Sequence, residues 1–258
     1  MSDALAQRMR AYEKTFLAKA STDQPCILRL DGRAFHRFTR ELPDPFDARL
    51  AQLMHATTAY LVEITHAVCG YTQSDEISLV LWARKPGEEL YFGGKIHKLI
   101  SVTAAEATLY FHQAKQTLDL PEQQQQYPVH FDCRFLQVPT PTAAIDYLRW
   151  REQEAQRNSV AQLARQHFDR KSLLHKNTEA LKSLLRQHRI HWEALPAHAQ
   201  RGTFFQTQRV EVPFNATGTA LPPKHQGHTQ KSYFRKQVQA LDLAGLHDLA
   251  DPEQFFFS

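Results

Sequence analysis

Two acidic segments carry the chemistry that this sequence offers. The first is Asp31 in "PCILRLDGRAFHRFTR", residues 25–40, where Cys26, Ile27, Leu28 and Leu30 form an apolar run that ends at Asp31-Gly32-Arg33. The second is "QSDEISLV", where Ser74, Asp75 and Glu76 precede another apolar run. Each motif alone fits a polar turn. Placed on adjacent strands, about 4.8 Å apart, Asp31 and Asp75 would face each other and repel unless a cation lay between them. Two divalent ions held this way would clamp a nucleoside triphosphate, one stabilising the leaving oxygens and one activating the attacking oxygen. Mg2+ suits such a site, since it takes one or two protein carboxylates and fills its shell with phosphate oxygens and water. Gly32 would bring its backbone close enough for its carbonyl to serve as a ligand. Arg33 and His36 would add positive charge or hydrogen bonds, and Phe35 would pack on a base or into the core. Lys95, after Gly93-Gly94 and before a helical segment, is a candidate phosphate contact.

These residues need elements to hold them. Residues 8–20 read as a helix with Met9, Tyr12, Phe16, Leu17 and Ala20 on one face. A strand follows over 26–30. "DARLAQLMHATTAYLVEITHAVCG" has helical apolar spacing at 50, 53, 54, 57, 61, 64 and 68, with Gly70 where a stop belongs. "AVCGYTQSDEISLVLW" reads as a hairpin whose turn is Ser74-Asp75-Glu76. "KIHKLISVTAAEATLYFHQ" is a second amphipathic helix, "PEQQQQYP" a polar connector, and "VHFDCRFLQV" a fourth strand.

The order strand, helix, strand, strand, helix, strand is the split β-α-β pattern of ferredoxin-like sheets and polymerase palms. The predicted class is α+β: an antiparallel βαββαβ sheet with both helices on one face, the other face open to a ligand, and a mostly helical C-terminal extension. The division falls near residue 140, giving a palm-like part at 1–140 and an extension at 141–258. In the extension, "TAAIDYLRWREQEAQRNSVAQLARQHF" and "SLLHKNTEALKSLLRQH" read as helices, "GTFFQTQRVEVPF" as a strand and "NATGTALPPKHQGHTQ" as a loop.

Composition sets outer bounds. The 258 residues are 42% hydrophobic and 22% charged, ordinary globular values. A formal charge of +4 with 14 histidines admits an anionic partner without requiring one. No segment approaches the roughly 18 uninterrupted apolar residues of a membrane span, and "MSDALAQRMRAYEKTF" has no signal-peptide run. Cys26, Cys69 and Cys133 lack CxxC spacing and read as buried free thiols, which points to a cytoplasmic, reducing compartment.

The stretches "RLDGRAFHRFT", "GYTQSDEISLV", "GGKIHKLISVTAAEAT", "FDCRFLQVPT" and "DYLRWREQEAQRNS" stand in the order seen in tRNA-His guanylyltransferases and their relatives, the 3′–5′ RNA polymerases. The likeness runs from about residue 8 to 170, with weaker support through "RGTFF" near 202. The resemblance implies a palm that activates a tRNA 5′ end, by adenylylation from ATP where that end is a monophosphate. The 3′-hydroxyl of an incoming nucleotide such as GTP then attacks the activated phosphate. It implies that Asp31, the Gly32 carbonyl and Asp75 hold two Mg2+ ions, with Glu76 in support. It further implies that Asp31, Gly32, Arg33, Ala34, Phe35 and His36, with Ser74 and Asp75, contact the nucleotide, and that Lys95 meets its phosphates. A tetramer is implied as well. One departure matters. Guanylyltransferases proper carry His-Ile-Asn in the helix after the Trp-Arg pair, and here the segment is Gln156-Arg157-Asn158. That resembles the guanylyltransferase-like proteins of bacteria and archaea, associated with templated repair of truncated tRNA 5′ ends.

Residues 165–191 hold seven Lys/Arg against Asp169 and Glu179, and "KHQGHTQKSYFRK" adds Lys231 and Arg235 beside aromatics. With Asn158, the residues Arg165, Arg170, Lys171, Lys176, Arg186, Lys231 and Arg235 are candidate RNA contacts. Two other functions fit a palm: a nucleotide cyclase or signalling-nucleotide synthase working without RNA, and a non-catalytic RNA-binding module.

Overall fold

The computed structural model describes residues 3–14, 17–40, 42, 44, 46–85, 87–213, 232–243 and 245–258. In chain order these form α1 (Asp3–Lys14), β1 (Cys26–Gly32), α2 (Phe35–Thr39), α3 (Ala48–Thr65), β2 (Cys69–Gln73), β3 (Glu76–Leu81), α4 (Ile96–Lys115), α5 (Glu122–Gln126) and β4 (Phe131–Gln137). There follow α6 (Pro141–His167), α7 (Arg170–Leu173), α8 (Thr178–Gln187), α9 (Ala197–Arg201), β5 (Thr203–Pro213), β6 (Ser232–Ala240) and α10 (Pro252–Phe257). One antiparallel sheet runs β4-β1-β3-β2-β5-β6. Its first four strands have the palm-like order predicted from the pattern. β5 and β6 extend that sheet past β2.

Alternation along the strands sends side chains to opposite faces. Leu28 and Leu30 of β1, with Ile77 and Leu79 of β3, pack against Leu53, Leu61 and Val62 of α3 and Leu99 and Phe111 of α4. The opposite face does not stand open as expected. Ile27, Val80, Cys69 and Tyr71 are covered by Ala144, Ile145 and Leu148 of α6 and by Leu246 and Phe256 from the C-terminal segment. The long helix after residue 140 carries its own apolar stripe, and the bare sheet face is where that stripe is buried. α6 has 27 residues, about 40 Å of helix, and it outruns a seven-residue strand such as β1. Its second half packs on α8 and Trp192 instead, through Val160, Leu163, Ala164, Leu181 and Leu185.

Local boundaries depart from the sequence reading in several places. The helix predicted over 8–20 is α1, which ends at Lys14 and buries nothing. Ala20 is instead buried in an extended segment, its N–H donating to the Gly94 carbonyl at 2.8 Å. α3 is stopped by His66 in the left-handed region at φ 54, not by Gly70. Gly70 lies inside β2, where a Cβ would come within 2.5 Å of Val62 and 3.0 Å of Thr58, so its role is to let α3 approach. The helix predicted over 172–188 is broken: Asn177 caps α8 by accepting from the Ala180 N–H at 2.9 Å. "PEQQQQYP" contains the one-turn α5. Cys26 and Cys69 are buried, while Cys133 is half-exposed. The segment "NATGTALPPKHQGHTQ" lies outside the described residues. Among the described residues, no helix is long and apolar enough to cross a membrane.

Candidate active site

The apolar alternation of β1 fixes where Asp31 ends up. Odd-numbered residues from Ile27 to Asp31 share the α6 face of the sheet, and Asp31 pairs with Glu76 of β3 and Asp132 of β4. Asp75 is therefore not directly across the ladder from Asp31. It sits one position further on, in the turn, where the Gly32 N–H donates to its backbone carbonyl at 3.0 Å. The turn itself is Ser74-Asp75, with Ser74 left-handed at φ 49. Glu76, predicted in the turn, is the first residue of β3 and is buried. The carboxylates of Asp31 and Asp75 are close enough to act on each other. Burial first, and then the Asp31 charge, push the Asp75 carboxyl from 3.8 up to about 6, against a hydrogen bond from Ser74. Among the described residues no group of three His, Cys, Asp or Glu side chains stands together as a metal cage. The donors on offer are the carboxylates of Asp31 and Asp75, an all-oxygen pair that fits a hard cation keeping water and phosphate in its shell.

Gly32 has a second reason to be glycine. A Cβ there would lie 2.3 Å from Cδ2 of Phe35. Phe35 is 4% exposed and packs edge-on with Phe38 and Phe111 and at a tilt against Phe131. It is a core residue that anchors the turn after Asp31, and its ring is not available to stack on a base. Arg33 is exposed and its N–H is spent on the His130 carbonyl at 2.8 Å. Ala34 is left-handed at φ 53 and opens α2.

Glu76 is committed elsewhere than expected. Arg151 of α6 donates to both its oxygens, from Nε at 2.7 Å and Nη2 at 2.6 Å, and the guanidinium stacks on Trp150 at 4.6 Å. Burial pushes the Glu76 carboxyl up and Arg151 pulls it back. The pair locks the hairpin to α6, and a bidentate fork of this kind fixes orientation as well as charge. Sequence reasoning passed over Arg151. The signal was its position, for it lies on the buried stripe formed by Ala144, Leu148, Ala155 and Ser159.

These residues line a cavity of about 310 Å3 between α3, the β2–β3 turn, α6 and α9. Asp31, Asp75, Glu76 and Arg151 form its charged wall, and Met54, His55, Ala199 and His198 lie farther along α3 and α9. Asn158 lines it too. A second cavity, about 530 Å3, shares Ser74, Asp75, Leu50 and Gln162 with the first and continues past His36, Arg40 and Arg165. Asp75 is thus the meeting point of two spaces.

Other predicted contacts are scattered. Lys95 is exposed at the start of α4, beside Ala18 and Ala20. Ser21 in turn bonds Gln137, which pairs with Cys26. That is the end of β1 opposite Asp31, so Lys95 does not reach this cavity within the chain. Arg170, Lys171 and Lys176 are exposed on and beside α7. Arg186 is tied to Glu193 at 2.6 Å, and Lys182 lies 4.5 Å over the Trp192 ring. Arg235 is exposed on the edge strand β6, and Lys231 lies outside the described residues.

The family model described as tRNAHis guanylyltransferase matches residues 6–139. A "Probable tRNA(His) guanylyltransferase" of Drosophila melanogaster is 27% identical over 230 residues, which is 83% of this chain and 78% of that protein. Among solved structures, a bacterial tRNA(His) guanylyltransferase (Thg1)-like protein in complex with ATP superimposes with a TM-score of 0.72. It is 30% identical, over 79% of this chain and 87% of that one. A bacterial Thg1-like protein in complex with GTP gives 0.73 at 25% identity, over 98% of this chain and 100% of that one.

Proposed function

This chain belongs to the tRNA(His) guanylyltransferase family, and from that premise we propose a Mg2+-dependent enzyme that adds nucleotides to tRNA 5′ ends in the 3′–5′ direction. The family makes it a nucleotidyltransferase of tRNA processing. The finer reading is templated repair of truncated 5′ ends in preference to strict G addition to tRNA-His. Gln156 standing where guanylyltransferases proper carry histidine supports that preference.

The observation that carries the proposal is that the Asp31 and Asp75 carboxylates act on each other, with Asp75 at the junction of two cavities. Two like charges in a half-buried site cost free energy unless a cation or a proton sits between them. In this reading Asp31, the Gly32 carbonyl and Asp75 hold Mg2+, which supplies charge stabilisation to phosphate oxygens when bound. The Glu76–Arg151 pair keeps the β2–β3 turn at a fixed height against α6, so Asp75 is presented rigidly. ATP or GTP occupies the 310 Å3 cavity, whose size lies at the low end of small-molecule sites, ~300–1,000 Å3. Its phosphates face the carboxylates, and its base lies toward Met54 and His55. Asn158 and Ser74 lie within the same cavity as polar positioning groups. Arg40 and Arg165, beside His36, give the adjoining cavity a positive wall suited to a second phosphate-bearing substrate. Arg170, Lys171 and Lys176, with Arg235 on β6, are the exposed cations left to follow the tRNA backbone. A cytoplasmic tetramer completes the reading and is checked by fractionation and sedimentation.

The test is incubation with full-length tRNA and with tRNA lacking its first nucleotide, labelled triphosphates and Mg2+. Extension of the truncated tRNA supports the proposal. A product formed without RNA points to a cyclase-type synthase, and tRNA binding without product points to an RNA-binding module; either result overturns it.

A further inference from the structure

α6 does not cover the whole of its face of the sheet. Ile27, Val80 and Tyr71 lie beneath it, but β4 is an edge strand, and its Asp132 and Arg134 side chains are exposed. Alternation and the ladder set two rows of side chains next to each other on this face. The first row is acidic and runs Asp132, Asp31, Glu76 across β4, β1 and β3. The second lies two residues back along the strands, about 7 Å away, and begins with Arg134 and Arg29. Ser78 of β3 completes it, its hydroxyl bonded to that of Tyr147 at 3.1 Å. The two arginines are direct neighbours across the ladder, where like charges repel. Arg134 has the Asp132 carboxylate at 3.5 Å, in an exposed pair that holds it weakly. The Arg29 side chain is half-buried and makes no hydrogen bond or ion pair among the described residues. Its charge acts only from a distance, on Glu76 and Tyr147. A cation taken partly out of water beside another cation calls for an anion.

Trp150 stands beside these rows. Glu152 takes the Leu246 N–H on one flank of α6. Trp150, two residues back and so about 200° round the helix, emerges on the flank toward β4. Its ring meets Tyr147 edge-on at 5.8 Å, and the Arg151 guanidinium lies over it at 4.6 Å. It is nevertheless 45% exposed. An indole steadied by two neighbours and still open to solvent is a platform for a base. We propose that this strip seats the 5′ end of the tRNA: Arg29 and Arg134 hold its terminal phosphate, and Trp150 stacks on its first base. The forked donors of arginine match phosphate oxygens. Position favours the same occupant, for a phosphate on the arginine row lies one row, about 7 Å, from the Asp31 carboxylate. That leaves the cavity walled by Arg40 and Arg165 to the incoming nucleotide. The inference rests on the 5′-end reaction proposed above.

Filter binding of truncated tRNA to the full chain tests it, with the RNA carrying either a 5′-phosphate or a 5′-hydroxyl. Mg2+ is present to neutralise the acidic row, and nucleotides are left out so that no addition occurs. The wild type should bind the 5′-phosphate form about tenfold more tightly. Arg29→Gln and Arg134→Gln should each cut that preference to about threefold or less, with the 5′-hydroxyl form held as before. Arg134→Lys, which keeps the charge without the fork, recovers part of it. Arg134 is exposed, so its variants carry the test if Arg29→Gln does not fold. Trp150→Leu should weaken both RNAs by about tenfold and leave ATP binding unchanged, and Trp150→Phe should restore most of the loss. A wild type indifferent to the 5′-phosphate, or arginine variants with an unchanged preference, overturns the inference. Extension assays separate it from the reaction itself. If the wild type extends truncated tRNA while the arginine variants keep both its KM and the phosphate preference, only the present inference fails. If the preference and its loss are seen but the wild type extends no tRNA, the seat stands and the proposed reaction fails.

Discussion

At the Cys26 end of β1, polar groups answer one another. The Gln137 side chain accepts from the Ser21 N–H and donates to the carbonyls of Ser21 and Gln24, and Ala20 bonds Gly94. At the Asp31 end, five residues away on the same strand, like charges are pressed together. Asp31 lies between Glu76 and Asp132 in the ladder, Asp75 is pushed up by Asp31, and His198 keeps a buried nitrogen without a partner. Both ends are built from the same sheet with the same hydrogen-bond ladder. The difference teaches where this chain holds unspent interaction energy. One end is satisfied by its own atoms, and the other keeps two interacting carboxylates and an unpartnered imidazole nitrogen.

Substitutions at the two ends should therefore do opposite things. The largest effect is expected for Asp31→Ala and Asp75→Ala in the tRNA extension assay. Each should lower the rate by on the order of 1,000-fold, since the loss of a metal-holding carboxylate removes several kcal/mol of charge stabilisation. Retention of most activity in both variants would end the assignment. Arg151→Met comes next. It strands the Glu76 carboxylate in a buried site, and urea unfolding should show a loss of about 3–5 kcal/mol; the double variant Glu76→Gln, Arg151→Met should recover much of it.

The pH dependence of stability sharpens the contrast further. Asp75 has a folded pKa of about 6, raised from 3.8 by burial and by Asp31. Between those values the folded chain keeps a proton that the unfolded chain has released. The contribution is present below pH 4 and is lost as pH rises through 6, by roughly 3 kcal/mol. Thermal melts across pH 4–7 in chelator should show this slope, and Asp75→Asn should flatten it. The smallest effect is expected at the satisfied end. Gln137→Leu removes the side-chain bonds to Ser21 and Gln24, at a cost of about 1 kcal/mol in this exposed setting, and extension activity should not change.

Much of the frame is legible in the chain. The apolar run at 26–30 and the Ser74-Asp75 turn give β1 and the hairpin, and period-2 alternation sends Asp31 to the face opposite Leu30. The order of elements gives the palm-like sheet and hence the nearness of Asp31 and Asp75. Phe35 was ambiguous, because an aromatic beside a glycine reads alike as a core anchor or a base platform; only the surrounding rings of Phe38, Phe111 and Phe131 decide it. Lys95 was misleading for a different reason. Gly-Gly-Lys before a helix says that a cation stands at a helix start, but not at which end of the sheet that helix begins.

What the sequence by itself determined is local and periodic: which segments are strands and helices, which face each strand residue takes, and which carboxylates end a rigid element. Those follow from side-chain spacing and backbone sterics, which act over a few residues. The tertiary structure alone decided that α6 closes the second face of the sheet, that Arg151 clamps Glu76, and that His55 and His198 meet in the cavity wall. Each of these joins residues far apart in the chain. Their pairing depends on how whole elements pack to bury apolar stripes, a property that no local spacing encodes.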